Sequence, residues 1–121
     1  MTMVRKDVVI NDGRTMSVLV DDSWTERLND SADTLWFQDS SGTDRVRLLR
    51  NIGVAYYFDE DHHYHRDDAV CREAIDPEKH KVSADATYFW HGKALRLCEF
   101  DDTWPESVQV LWMRLKLGDN P

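Results

Sequence analysis

The segment DEDHHYHRDD, residues 59–68, concentrates side chains that could bind a metal ion or exchange protons. It contains three of the chain's five histidines, with acidic residues on both sides of them. Side chains at positions i and i+2 of an extended segment project to one face, so His63, His65 and Asp67 could contact a single ion. Catalytic zinc sites use three such ligands and a water whose pKa falls far enough to supply a nucleophile at neutral pH. The spacing therefore predicts a zinc site, as one of two interpretations of this segment.

The stretch HYHRDD, residues 63–68, resembles the first part of the HxHxDH motif of the metallo-β-lactamase type, except that Asp68 stands where that family has a histidine. The resemblance implies a metal-dependent hydrolase with a much larger αββα sandwich fold and further ligands from distant segments. It covers five of the 121 residues. We interpret it as a chance match, because short motifs recur in unrelated chains.

The second interpretation of residues 59–68 is a solvated loop that follows a strand over residues 54–58. Histidines on the solvent-exposed side of such a loop, next to acidic residues, are hydrated and do not require a bound metal ion. Neighbouring carboxylates favour protonated imidazole, so the segment would gain positive charge as the pH falls toward about 6. We favour the loop over the metal site, because the motif has little specificity.

Other catalytic templates find little support in the sequence. The motifs GxSxG, Walker A, GxGxxG and HExxH do not occur. A Cys71–His80 pair would need the fold to bring a base to the thiol, and paired carboxylates would need a cleft. We expect both cysteines to be free thiols that act as small hydrophobic side chains. No cofactor is expected apart from the zinc of the first interpretation.

Composition and charge narrow the function classes. The net charge is −8, and no Lys/Arg cluster of the kind that follows phosphates appears in the sequence. Direct binding to nucleic acid or to an anionic membrane is therefore disfavoured, whereas a basic protein partner would be steered toward the chain. No run approaches the length of a membrane span, and the N-terminus has no apolar signal region. We therefore expect a cytoplasmic protein.

Aromatic residues beside acids indicate where a protein partner would bind. Tyr and Trp are enriched in interface hot spots, and charged rims control the association rate. The predicted partner-binding residues are Asp59, Glu60, Asp61, Tyr64, Asp101, Asp102 and Trp104.

The pattern of turns and apolar runs predicts one domain over residues 1–121. We expect a β-dominated α+β fold with an antiparallel sheet of about 5–7 strands and two or three short helices. The sheet would close as a curled sheet or a small SH3-like barrel. The predicted elements are hairpins around Asn11–Gly13, over 34–50 and over 87–100 with His91-Gly92 at its tip, helices over 23–29 and 68–75, and strands over 54–58 and 107–117.

Three functions remain open from the sequence. The first is a non-enzymatic binding protein that recognises another macromolecule, for example an inhibitor or immunity-type factor. The second is a metal-dependent hydrolase built on His63, His65 and Asp67. The third is a structural or assembly subunit of a phage or mobile element, whose sheet edges pair with further copies of the chain.

Overall fold

A computed structural model describes residues 2–118 of the chain. Its regular elements are β1 (Met3–Val9), β2 (Thr15–Asp21), β3 (Thr25–Leu28), β4 (Thr34–Gln38), β5 (Asp44–Leu49), β6 (Val54–Tyr57), β7 (Arg72–Ala74), a 3-10 helix (Ala84–Ala86), β8 (Phe89–Trp90), β9 (Lys93–Ala94) and α1 (Glu106–Lys116). Strands β1 and β2 form one antiparallel hairpin, β8 and β9 form another, and β3 to β7 form a five-stranded antiparallel sheet in chain order.

The main core lies between the β1–β2 hairpin and one face of the five-stranded sheet. Gly13 has a φ of +91°, which the tight turn between β1 and β2 requires. Residues of alternate positions in β2 then face the sheet, as the period of two of a strand dictates. The buried core residues are Ile10, Met16, Val18, Val20, Leu35, Phe37, Val46, Leu48, Ala55 and Tyr57. The predicted first hairpin and the shared face of Met16, Val18 and Val20 are confirmed.

A second, smaller core forms in the C-terminal part of the chain. Helix α1 packs there through side chains three and four positions apart, the spacing that places residues on one helix face. The buried members of this core are Ala69, Leu95, Trp104, Val108 and Leu115, and Leu111 and Trp112 pack against them. The predicted strand over residues 107–117 is therefore wrong, because the apolar positions that are buried follow the helical period rather than a period of two.

The predicted helix over residues 23–29 is also wrong. The hydroxyl and backbone N–H of Ser23 both donate to the carboxylate of Asp21, at 2.7 and 2.9 Å, so Ser23 closes a turn and does not cap a helix. The chain then continues as β3 and pairs with β4. Pairing with a neighbouring strand overrides local helix propensity.

The predicted helix over residues 68–75 contains β7 instead. The carboxylate of Asp68 pairs with the guanidinium of Arg66, and β7 completes the sheet by pairing with β6. In the described residues the structure has one α-helix where two or three were predicted, and no closed barrel. The β-dominated antiparallel class and the hairpin over 34–50 are confirmed, and the predicted strand over 54–58 is present as β6, which ends at Tyr57. The predicted hairpin over 87–100 has its tip at His91-Gly92, but its strands cover only 89–90 and 93–94. No helix within residues 2–118 is long and apolar enough to cross a membrane.

Candidate functional site

The carboxylate of Asp59 organises the loop that follows β6. Asp59 is 1% exposed, and its Oδ1 accepts the backbone N–H groups of Asp61 at 2.9 Å and His63 at 2.8 Å. Its Oδ2 lies 2.9 Å from Nδ1 of His91 and 3.7 Å from Nδ1 of His63. Burial alone would raise the pKa of Asp59, but the donors of His63, His91 and Asp61 hold that pKa below its ordinary value.

The tip of the β8–β9 hairpin is held against this loop. His91 and Gly92 have φ angles of +46° and +82°, as a two-residue hairpin turn of the primed type requires. The N–H of Gly92 donates to the carbonyl of Tyr64, and a Cβ on Gly92 would come within 3.1 Å of the His63 side chain. The hairpin thus brings a fourth histidine to the segment from 26 residues beyond His65.

His65 is an internal, neutral imidazole. It is 6% exposed, its ring stacks on that of His91 at 3.8 Å, and its Nδ1 accepts the backbone N–H of His91 at 3.0 Å. Burial and the neighbouring His91 lower the pKa of His65 despite the nearby Asp67. Since Nδ1 acts as an acceptor, the proton lies on Nε2, which is 3.5 Å from Oδ1 of Asp67.

The predicted metal ligands are only partly brought together. His65 and Asp67 are neighbours, whereas His63 is directed to Asp59. Within residues 2–118 no group of three or more His, Cys, Asp or Glu side chains is placed to hold a metal ion. The zinc interpretation therefore has no assembled ligand set to support it.

The Asp59–His91 pair has the geometry of a carboxylate that orients a histidine base. The ionised carboxylate can only accept, so Nδ1 of His91 donates and Nε2 keeps its lone pair on a side chain that is 46% exposed. Such a base activates a nucleophile only within hydrogen-bond reach. Among the hydrogen bonds of the described residues, none joins His91 to a hydroxyl or thiol. The pair therefore serves to fix the hairpin to the loop.

The residues predicted to bind a partner fall into two groups. Glu60, Asp61, Tyr64 and Asp102 are exposed, and Asp101 is half-buried. Asp59 and Trp104 are buried, at 1% and 7% exposure. Asp59 is occupied by the loop, and Trp104 belongs to the second core, where its ring contacts that of Phe100. Those two side chains act within the fold and are not open to a partner.

A feature that the sequence analysis missed lies on the outer face of the five-stranded sheet. One residue from each strand stands in a single row, and arginines alternate with aromatic rings. In the strand register, Arg27 pairs with Trp36, Trp36 with Arg47, Arg47 with Tyr56, and Tyr56 with Arg72. We call these five residues the Arg–aromatic ladder.

Neighbours in the ladder are in direct contact. The guanidinium carbons lie 5.7 Å (Arg27–Trp36), 5.9 Å (Arg47–Trp36), 4.9 Å (Arg47–Tyr56) and 5.8 Å (Arg72–Tyr56) from the ring centroids. These distances are within the range of cation–π attraction. The row is therefore a continuous surface of alternating charge and ring, supported from behind by the main core.

The ladder arginines are poorly neutralised, although the chain carries a net charge of −8. Arg27 has one distant acid, Asp44, at 3.8 Å. Arg72 donates to the carbonyl of His80 and to the hydroxyl of Tyr56. Arg47 forms no ion pair within residues 2–118, and its Nε is buried without a hydrogen-bond partner. Because its guanidinium has no acid partner in the described residues and lies beside the half-buried Tyr56 ring, Arg47 is a candidate contact for an anionic group.

A second polar cluster is structural by contrast. Glu73 receives the hydroxyl of Tyr57 and ion pairs from Arg5 and from Arg66, whose Nη1 lies 2.7 Å away. Burial would raise the pKa of Glu73, but the donors of Tyr57, Arg5 and Arg66 hold it below its ordinary value. Nη1 of Arg66 is buried without hydrogen-bond geometry to an acceptor, but it lies beside the Glu73 carboxylate, so the charges of this network are paired with one another.

The ladder could have been found from the sequence only if the residue pairing between neighbouring strands had been known. Its three arginines are 20 and 25 positions apart, so no window of the sequence shows a basic cluster. The available signal is that Trp36, Arg47 and Tyr56 alternate with apolar residues that face the core.

No protein family, curated protein or solved structure matches this chain.

Proposed function

We propose that the protein is a non-enzymatic binding protein that recognises another protein through the Arg–aromatic ladder. The observation that carries the proposal is the register that places Arg27, Trp36, Arg47, Tyr56 and Arg72 in one row. Arg, Trp and Tyr are the residue types most enriched among interface hot spots. The paired strands also hold these side chains in one row before the partner arrives, which lowers the entropic cost of binding.

Charge complementarity defines the partner segment. Three arginines on one face attract carboxylates, and Arg47 has no acid of its own. The rest of the molecule is acidic and would steer a basic protein toward it. A partner whose surface is basic overall and which presents an acidic segment to the ladder satisfies both features. The exposed acids Glu60 and Asp61 would then contribute to the rim of the contact.

The proposed location is the cytoplasm. The two cysteines, Cys71 and Cys98, are free thiols, as is usual for proteins in a reducing compartment.

The proposal is tested by affinity capture with matched variants of the full chain. We expect wild type to retain a specific protein that R27M/R47M loses. The control is R96M, which removes an arginine that is about as exposed as Arg27 and pairs with Asp85, which is not a ladder residue. With the purified partner, the double variant should bind at least about tenfold more weakly, and salt should weaken wild-type binding more than variant binding. Equal capture by wild type and R27M/R47M, or equal loss in R96M, would overturn the proposal.

A further inference from the structure

A shallow pocket opens where the outer sheet face meets the loop after β6 and the tip of the β8–β9 hairpin. Its volume of about 360 Å³ lies at the lower end of the range for small-ligand pockets. The residues that line it are Arg47, Phe58, His62, His63, Tyr64 and Gly92.

The polar groups of this pocket are the guanidinium of Arg47, which is a donor, and two imidazoles whose Nε2 atoms have no partner in the described residues. Arg47 has no ion pair in the described chain, and its buried Nε has no acceptor. The side chain of His63 is 60% exposed and directs Nδ1 toward Asp59, so its Nε2 is free. Nδ1 of His62 is engaged by the carbonyl of Asp44, which leaves Nε2 free there as well. None of the lining residues is acidic, although the chain as a whole is.

The apolar part of the pocket is a set of stacked rings. The ring of Phe58 lies 4.3 Å from that of His62 and 5.1 Å from that of Tyr64, with interplanar angles of 12° and 25°. Tyr64 is 36% exposed. A planar ligand group can therefore extend the stack while an anionic group reaches Arg47 and the histidines.

We propose that this pocket binds a phosphate monoester carried on an aromatic group. A phosphate dianion offers three terminal oxygens, enough for the guanidinium of Arg47 and for the Nε2–H groups that His62 and His63 carry in their imidazolium forms, whereas a carboxylate offers two. The bound phosphate would neutralise the charge of Arg47, which has no ion pair in the described residues. This site goes beyond the proposed function, because it requires a particular anion and not an acidic surface in general.

The probe is phenyl phosphate, titrated into uniformly labelled full-length protein and followed by amide chemical shifts. We expect saturable shifts centred on Phe58, His63, Tyr64 and Gly92, and tighter binding than that of inorganic phosphate. R47M should weaken phenyl phosphate binding at least about tenfold, since it removes charge-assisted hydrogen bonds. The matched control is R96M, which removes an arginine that pairs with Asp85 and belongs to neither the ladder nor the pocket, and its affinity for phenyl phosphate should stay within about twofold of wild type.

The same measurements can overturn the inference. It fails if phenyl phosphate causes no saturable shifts at millimolar concentration, if inorganic phosphate binds as tightly, or if R47M binds as wild type does. Should R47M not fold, H63A replaces it, since His63 is exposed, and unchanged affinity in H63A would likewise refute the site. A phosphotyrosine peptide and a nucleoside monophosphate then identify the source of the group by which of them binds more tightly. If the wild-type chain does not bind phenyl phosphate but still captures its protein partner, this site is refuted and the proposed function stands.

Discussion

Replacing Asp59 by alanine should loosen the joint between the loop after β6 and the β8–β9 hairpin. The carboxylate accepts three hydrogen bonds, from the backbone N–H groups of Asp61 and His63 and from Nδ1 of His91. Because Asp59 is 1% exposed, water cannot replace it without rearrangement. At about 1 kcal/mol for each lost hydrogen bond, D59A should reduce the free energy of unfolding by about 3 kcal/mol.

The matched variant D59N separates charge from shape. The side-chain amide oxygen of this variant can still accept the backbone N–H groups of Asp61 and His63, so only the contact with His91 must change. The free energy of unfolding should therefore fall by about 1 kcal/mol. The pKa of Asp59 is lowered in the folded state, so its contribution is fully present above the unfolded value near 4 and is lost as the pH falls through the folded value. The stability difference between wild type and D59A should therefore narrow below pH 4.

Urea unfolding followed by tryptophan fluorescence measures both costs, and amide hydrogen exchange locates them. We expect faster exchange at Gly92, whose N–H is bonded to the carbonyl of Tyr64, and unchanged exchange in β4 and β5. A loss below about 1 kcal/mol in D59A, or equal losses in D59A and D59N, would refute the assignment of Asp59 as the organising acceptor.

Four further outcomes follow from burial and contacts. W104A should lower the free energy of unfolding by about 3–5 kcal/mol, because the indole belongs to the second core. A loss as small as that of a surface substitution would contradict this. Y57F should lower the free energy of unfolding by about 1–3 kcal/mol, because its hydroxyl donates to the half-buried Glu73, and full stability would contradict the network. Burial raises the pKa of the Cys71 thiol to about 12, so in native protein at pH 8 a thiol reagent should label Cys98 first, and equal rates would contradict its burial. EDTA should leave the melting temperature unchanged, because no three ligands are assembled in residues 2–118, and a lowered value would restore the zinc interpretation.

The hairpins were predictable because their signals are local. Asn11, Asp12 and Gly13 supply a turn between two alternating runs, and Gly92 supplies the positive φ at the tip of the β8–β9 hairpin. The helix predictions failed where a local pattern had two solutions. Ser23 fits a helix cap in the sequence, but Asp21 captures its hydroxyl in the fold.

The C-terminal segment shows the same ambiguity in reverse. Residues 107–117 alternate well enough for a strand, and they also carry Val108 and Leu115 seven positions apart, as a helix requires. Packing decides between the two periods, because Trp104 and Leu95 offer an apolar surface to a helix face. The candidate metal ligands failed for a related reason: the alternation of a strand places His63 and His65 together only if the segment is extended, and Asp59 folds it into a loop.

By itself the sequence determined the β-dominated antiparallel class, the positions of the main hairpins and the exposed acidic character, because turn chemistry, alternation and composition are properties of neighbouring residues. Only the tertiary structure decided which histidines are in contact and on which face of the sheet the arginines lie. His91 reaches Asp59 across 32 positions, and the ladder joins five strands into one row. The physical reason is register: hydrogen bonding between strands fixes which distant side chains stand side by side, and no local pattern specifies that pairing.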